Sequence, residues 1–382
     1  MKIGIVCFPT YGGSGAIATE SGIEFANRGH EVHFISYEIP FRLRHFQENI
    51  FFHEVNVYEY PLFEYPPYES VLASKIVDVA IYEELDLLHV HYAIPHASVA
   101  FMAQQILKSK KIHLPYITTL HGTDITLVGR DRSFEPIIRF SLNHSNAITT
   151  VSENLKRETL ETFKIDNKIH VIPNFVDAEE FNRETTPCFR NRLEFGNVPV
   201  LVHISNFRKV KRVDDVVKIF LEVRKQMHCK LILVGDGPER NKVEEMVRQS
   251  PYRKDILLPG HISDPRKILC MANIFLLPSQ TESFGLAALE AMAMGVPVIT
   301  SNTGGLPELN MHGKTGFLFP PGDVRSMSEA ILFLLSNPEQ YKKFSIQARK
   351  RALQFDKKKI IPLYIKLYHD TLQQFKPGKK SR

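Results

Sequence analysis

No stretch of this 382-residue chain approaches the roughly 18 uninterrupted apolar residues that a membrane-spanning helix requires, so a transmembrane protein is not expected. The amino terminus enters a strand-like run at residues 2–8 without the basic-then-apolar order of a secretory leader, and no signal peptide is expected. Cysteine is scarce. Cys7, Cys188, Cys229 and Cys270 lie far apart with no Cys-x-x-Cys spacing, which signals neither a zinc ribbon nor a disulfide framework. Free thiols fit a reducing compartment, and a cytoplasmic protein is the expectation. The net charge of +6 is modest and no basic stripe concentrates it. That argues against a nucleic-acid partner and suits a small anionic ligand. Low-complexity blocks are missing too. What is there is a globular composition, 43% hydrophobic and 24% charged, with length for two domains of ordinary size.

Taken in order, residues 2–8 form an apolar run typical of a strand buried on both faces. A turn containing Gly12, Gly13 and Gly15 follows, then a helical pattern to Asn27 and a second strand at 31–36. Strand, glycine turn, helix and parallel strand open a Rossmann-like unit. Residues 41–68 are irregular and rich in aromatics and prolines. Within them, 41–46 is expected to be an ordinary amphipathic segment or edge strand rather than a membrane contact. A helix is expected at about 70–84, and strands at 87–92, 115–120, 147–152 and 168–172. Pro173 to Asp177 reads as a domain boundary. The alternation then restarts, with strands at 198–204, 230–234, 256–260, 274–278 and 296–300 and a helix at 213–225. An extended stretch at 316–323 precedes two helices, and a last long helix covers about 357–374. The tail 376–382 is expected to be solvated and disordered. The fold expectation is α/β, with two Rossmann-like domains at 1–172 and 173–356, an interdomain cleft, and the C-terminal helix crossing back to the first domain.

Residues 281–299 hold the densest chemistry. Ser283 is the expected N-cap of a helix from about Leu286 to Met294, stopped by Gly295. The backbone N–H groups at such a start suit an anion. Glu282 and Glu290 flank it, and an acid inside an apolar helix needs a partner if buried. The plain alternative is a buried helix with one solvated glutamate. A second cluster, Arg208, Lys209, Lys211 and Arg212, follows the first strand of the second half. Cations there fit a pyrophosphate, in the ground state and as a leaving group; the alternative is a solvated basic turn. His121, in His-Gly-Thr-Asp after a buried strand, is a general base, a sugar hydrogen-bonder or a packed strand-end histidine. His89, His96, His203 and His261 read as packing. Gly13-x-Gly15-x-x-Ala18, with Glu38 where a ribose acid belongs, matches the dinucleotide fingerprint, so an NAD-dependent oxidoreductase stays open on that motif. One sheet edge carrying His91, Tyr92, His121 and Thr123 and another carrying Arg208, Lys211, Glu282 and Glu290 are expected to face a common cleft, where ligands collect. No carboxylates or histidines fall at ligand spacing beside those cations, and no metal is expected.

With these residues placed, the chain resembles the retaining glycosyltransferases of the two-Rossmann (GT-B) kind, in the glycogen-synthase-like superfamily. Glu282 and Glu290 stand as that family's E-x7-E pair. Val234 to Pro238, Pro173 to Asp177 and Thr303 to Glu308 are similar to further family blocks, so the likeness spans essentially the whole chain. Residues 9–15, 60–68, 89–97 and 119–129 resemble the branch that moves N-acetylglucosamine from UDP-N-acetylglucosamine to L-malate, the first step of bacillithiol biosynthesis, with no cofactor and no metal.

The resemblance implies roles by position. Glu290 binds the ribose hydroxyls and Glu282 the donor sugar. Ser283, Phe284, Gly285 and Leu286 present N–H groups to sugar and phosphate. Lys211 neutralises the diphosphate. The family's arginine five residues before that lysine is here Asn206; Arg208 is the expected substitute, which frees Asn206 toward the acceptor. Gly13 and Ser14 approach diphosphate or acceptor, Tyr92 and Thr123 the acceptor, and Arg139 the malate carboxylates. The two glutamates are committed to hydroxyls instead of flanking the anomeric carbon as in a retaining hydrolase. Same-face attack follows, with a β-phosphate oxygen taking the malate proton, Lys211 and Arg208 stabilising UDP, and His121 supporting the sugar. A lipid or polysaccharide acceptor, a non-catalytic sugar-nucleotide sensor and a homo-oligomer are left open.

Overall fold

The computed structural model describes residues 1–10, 12–43, 46–57, 64–127, 131–188 and 196–375. Of the stretches singled out above, Tyr11, Arg44, His45, Tyr58 to Phe63, Val128, Gly129 and the tail 376–382 lie outside the described residues. The chain forms two compact units, Met1–Pro173 together with the chain from Ile360, and Asn174–Lys359.

The first unit is built on a seven-stranded parallel sheet in the order β3-β2-β1-β4-β5-β6-β7. Its strands are β1 Lys2–Val6, β2 Glu31–Ser36, β3 Ile50–Glu54, β4 Leu87–His91, β5 Tyr116–Leu120, β6 Ala147–Thr150 and β7 Ile169–Val171. The helices that cover it are α1 Gly13–Asn27, α2 Tyr68–Tyr82, α3 Ser98–Ser109, α4 Glu135–His144 and α5 Glu153–Thr162. Parallel strands need such crossovers, and the sheet is covered as a result, which is why β4 and β5 are buried at every residue. Strand β3 is the exception. It stands at the sheet edge, has only exposed and half-buried residues, and falls in the segment that reads as irregular. An edge strand buries too little to leave a continuous apolar run.

The second unit holds a six-stranded parallel sheet in the order β10-β9-β8-β11-β12-β13. Its strands are β8 Val200–Ile204, β9 Lys230–Val234, β10 Ile256–Gly260, β11 Ile274–Leu277, β12 Val298–Ser301 and β13 Gly316–Phe319. Around it lie α6 Val213–Gln226, α7 Arg240–Gln249, α8 Arg266–Leu269, α9 Leu286–Ala293, α10 Leu306–Leu309, α11 Val324–Ser336 and α12 Pro338–Ala352. Val213, Val217, Phe220 and Val223 of α6 pack with Leu231, Ile274 and Ile331 in one core cluster.

The last helix, α13 Lys357–Phe375, starts in the second unit and from Ile360 belongs to the first. There Tyr364 and Tyr368 are buried, and the Tyr368 hydroxyl meets His89 Nδ1 at 2.5 Å. No described helix is long and apolar enough to cross a membrane. The four cysteines are free.

Each sheet reverses its strand order once, between β1 and β4 in the first unit and between β8 and β11 in the second. Crossovers on the two sides of such a point lead to opposite faces of the sheet. The carboxyl ends of the two central strands are thereby left flanking a crevice, where open α/β sheets bind ligands.

Candidate active site

At the first reversal, the start of α1, which follows β1, and the turn after β4 are joined. The Tyr92 hydroxyl donates to Ser14 Oγ at 2.5 Å across 78 positions of sequence. Tyr92 sits at φ +86, a strained value for a bulky side chain, and its ring lies against Phe8, with centroids 5.5 Å apart. His121 comes in from the end of β5. Its Nε2 is 2.8 Å from His91 Nδ1 and the two rings stack. Asp124 ties these turns together. Its carboxylate is buried and accepts from the N–H groups of Ala93, at 2.8 Å, and Gly122, at 3.0 Å. Sequence reading passed over Asp124 as a site residue, although the His-Gly-Thr-Asp run contained it.

Burial governs the charges here. It pushes His121 and His89 down to about 3 and His96 down to about 4, and holds His91 well below the usual imidazole range. The cluster is therefore neutral at physiological pH, and His121 serves as a hydrogen-bonding group, not a cation. Burial raises Asp124 to about 6, against the pull of its backbone donors. His89 is satisfied by Thr119 at 2.7 Å and by Tyr368, as a packing residue should be. His96 is buried against Phe8, and its Nδ1 meets the His91 carbonyl at 2.5 Å, while its buried Nε2 has no partner among the described residues.

At the second reversal, the loops after β8 and β11 are cross-linked three times. Lys211 Nζ meets Glu282 Oε2 at 2.6 Å. The Gln280 N–H donates to the Val210 carbonyl at 2.7 Å. Arg212 donates to Gln280 Oε1 at 3.0 Å while its Nε holds Asp215 at 2.7 Å. Both members of the Lys211–Glu282 pair are largely buried, so their attraction is only partly screened. The next loop fixes the Glu282 backbone: the Gly305 N–H donates to the Glu282 carbonyl at 2.9 Å. Gly304, at φ +56, packs so closely that a Cβ there would stand 1.9 Å from that same carbonyl oxygen.

The helix after Glu282 starts at Leu286, as expected, but is capped differently. Ser283 is not its N-cap. Gly285 is, at φ +94 and ψ +52, with no side-chain cap. Only a residue without a Cβ adopts this left-handed entry readily. The first-turn N–H groups of α9 are thus left without a capping side chain. Glu290, on the same helix, is 4% exposed, and Phe284 is buried edge-on against Phe355.

The structure therefore gathers Ser14, Tyr92 and His121 at one reversal, with Gly13 next to Ser14 in sequence and Thr123 close after His121, and Lys211, Glu282, Ser283, Phe284, Gly285, Leu286 and Glu290 at the other. Three residues stand apart. Arg208 is exposed ahead of the basic turn and takes no part in the Lys211–Glu282 pair. Asn206 is half-buried, and its Oδ1 is buried without a partner among the described residues. Arg139 is exposed on α4. His203 is a satisfied core histidine, bonded to the Leu276 carbonyl at 2.8 Å and Ser205 Oγ at 2.7 Å.

Residues 187–351 match the family model described as Glycosyl transferases group 1, and residues 11–180 match Glycosyltransferase Family 4. N-acetyl-alpha-D-glucosaminyl L-malate synthase of Bacillus anthracis is 44% identical over 384 residues, covering 99% of this chain and 99% of that protein. Glycogen synthase of Mycobacterium tuberculosis is 26% identical over 281 residues, 70% of this chain and 64% of that protein. Among solved structures, sucrose-phosphate synthase from Thermosynechococcus elongatus superposes with a TM-score of 0.81 at 20% identity, covering 98% of this chain and 100% of that one. Anabaena HepE, in complex with UDP and glucose, gives 0.77 at 18% identity, covering 98% and 99%. At those identities the two structures establish the fold alone.

Proposed function

Because the chain belongs to the glycosyltransferases of the two-Rossmann (GT-B) kind, we propose that it moves N-acetylglucosamine from UDP-N-acetylglucosamine to the hydroxyl of L-malate, with retention of configuration. The end-to-end likeness to the Bacillus anthracis enzyme carries this reading. Family membership also removes the nicotinamide-dependent alternative that the Gly13–Ala18 fingerprint had left open. Both substrates are water-soluble, and the reaction is assigned to the cytoplasm as the opening step of bacillithiol biosynthesis.

The donor is assigned to the second unit. Glu290 takes the ribose hydroxyls, Glu282 a sugar hydroxyl, and the uncapped N–H groups from Ser283 to Leu286 the sugar and phosphate oxygens. Lys211 supplies positive charge to the diphosphate. Glu282 restrains this long side chain, so little further rotamer freedom is lost on meeting the phosphate. Arg208, exposed, is the second cation. The acceptor is assigned to the first unit, to Ser14, Tyr92 and Thr123, with Arg139 for a malate carboxylate, and to Asn206.

In the reaction the bond from the anomeric carbon to the β-phosphate oxygen breaks, and a bond from that carbon to the malate hydroxyl oxygen forms on the same face. The hydroxyl proton passes to a β-phosphate oxygen. Lys211 and Arg208 stabilise the charge that develops on UDP. His121, neutral, hydrogen-bonds the sugar. Since side chains are assigned the diphosphate charge, the transfer is expected to survive a chelator. The test is UDP release from UDP-N-acetylglucosamine, with and without L-malate, in the presence of EDTA. Strong stimulation by malate is expected; no stimulation would remove the acceptor assignment and leave the family.

A further inference from the structure

Nothing in the residue spacing marks a metal site, yet the outer edge of the first unit gathers three suitable ligands. His33 lies on β2, His53 on β3, and Glu83 directly follows α2. One ligand atom from each lies within 4.8 Å of the other two. Sheet register accounts for the histidine pair. His33 stands opposite Phe51 and Ile35 opposite His53, so the two imidazoles are diagonal neighbours on one face. Their rings stack with centroids 5.2 Å apart, and His33 Nδ1 is 2.9 Å from His53 Nε2. Phe51 stacks on His33 at 5.0 Å.

A second observation concerns the other nitrogen of His33. Its Nε2 is 3.0 Å from Glu31 Oε1. Metal-binding imidazoles characteristically donate their remote N–H to a carboxylate, which fixes the tautomer and leaves the other lone pair for the ion. Here that lone pair belongs to Nδ1, the atom that faces His53.

We propose that His33 Nδ1, His53 Nε2 and the Glu83 carboxylate bind a divalent transition-metal ion of the zinc class, with Glu31 orienting His33. Two imidazoles and one carboxylate suit zinc, whereas magnesium and calcium want oxygen throughout. Tetrahedral ligands at about 2.0–2.1 Å from zinc stand about 3.4 Å apart. The histidine pair is already within that span, and the flexible Glu83 side chain closes the rest. Lys2, 3.5 Å from Glu31, and Lys75, which acts on His53, bring positive charge nearby; Glu31 and Glu83 offset it. The site is separate from the transfer residues. Glu83 leads into the amino end of β4, while Tyr92 and His121 follow the carboxyl ends of β4 and β5. Its role is structural: it ties β3, which pairs with β2 alone among the described strands, to the end of α2.

The test uses the full-length protein carrying Cys188→Ser, which removes the exposed thiol as a zinc ligand. After EDTA treatment and desalting, the protein is titrated with zinc chloride against a chromophoric chelator, and bound zinc is counted by elemental analysis. One zinc per chain is expected in this parent, lost in both His53→Gln and Glu83→Gln. Glu31→Gln should keep the site at an affinity lower by about 10- to 100-fold. Zinc should raise the thermal midpoint of the parent and leave that of His53→Gln unmoved, while malate-dependent UDP release stays equal in the two. Equal zinc uptake by the parent and His53→Gln, or a zinc-induced thermal shift that persists in both ligand variants, overturns the proposal.

Discussion

Lys211 and Glu282 show how much of this site depends on single atoms. They are 71 positions apart, yet their side chains meet at 2.6 Å because each follows a central strand of the same sheet. If Lys211 stabilises departing UDP, Lys211→Ala should lower the turnover number by roughly 100- to 1,000-fold, the loss seen when one charge-stabilising donor is removed. Steady-state UDP release measures this, and near-normal turnover would rule the leaving-group role out. Tyr92→Phe is a milder probe. It deletes one hydroxyl, the donor to Ser14, and should raise the KM for malate several-fold with little change for the donor; an unchanged malate KM would take Tyr92 out of the acceptor site. At this scale the sequence showed residue types and their nearness to strand ends. It could not show that Lys211 is already paired, or that Arg208, two positions beyond Asn206, points into solvent.

Among the elements, α9 is the most informative. Its span and its stop at Gly295 were legible, since an apolar run of good helix formers bounded by glycine has few other readings. Its first residue, Leu286, was legible too, but its cap was misread. Ser283 has the chemistry of a cap, but the chain enters the helix through Gly285 in the left-handed region, a conformation that composition does not reveal. The neighbouring Gly304 follows the same logic and yields a prediction. An alanine there must both adopt φ +56 and displace the Glu282 carbonyl, 1.9 Å from the new Cβ. Gly304→Ala should therefore lower the thermal midpoint and raise the KM for UDP-N-acetylglucosamine more than that for malate. Equal effects on both would show that the loop does not position Glu282. Strand β3 failed for the opposite reason: half-exposed at an edge, it left no pattern to read.

For the whole molecule, buried histidines dominate the acid response. His89, His121, His96 and His203 titrate at about 3, 3, 4 and 4 in the folded protein, against an ordinary 6.5. Between those limits the unfolded chain binds more protons, so stability rises with pH and is lost as pH falls below about 6.5. Each such histidine adds a slope of up to about 1.4 kcal/mol per pH unit. Asp124, raised to about 6, works the other way, against these four and His91, which burial also holds well below the usual range. The thermal midpoint should fall steeply between pH 6.5 and pH 5, and His203→Gln, if folded, should show a shallower fall. A flat profile across that range would mean that the cluster is not buried as described.

What the sequence determined by itself is the periodic part of this protein. Runs of buried apolar residues alternate with helical patterns because a parallel sheet must be covered on both faces, and that requirement is written locally in each segment. It sufficed for two Rossmann-like halves; the family was legible only through the resemblance of particular motifs, the Glu282–Glu290 pair first among them. What only the tertiary structure decided is adjacency between distant residues: Tyr92 beside Ser14, Lys211 on Glu282, His33 beside His53. These meetings depend on strand order and register, which are properties of the whole sheet and leave no trace in the spacing of the residues they bring together.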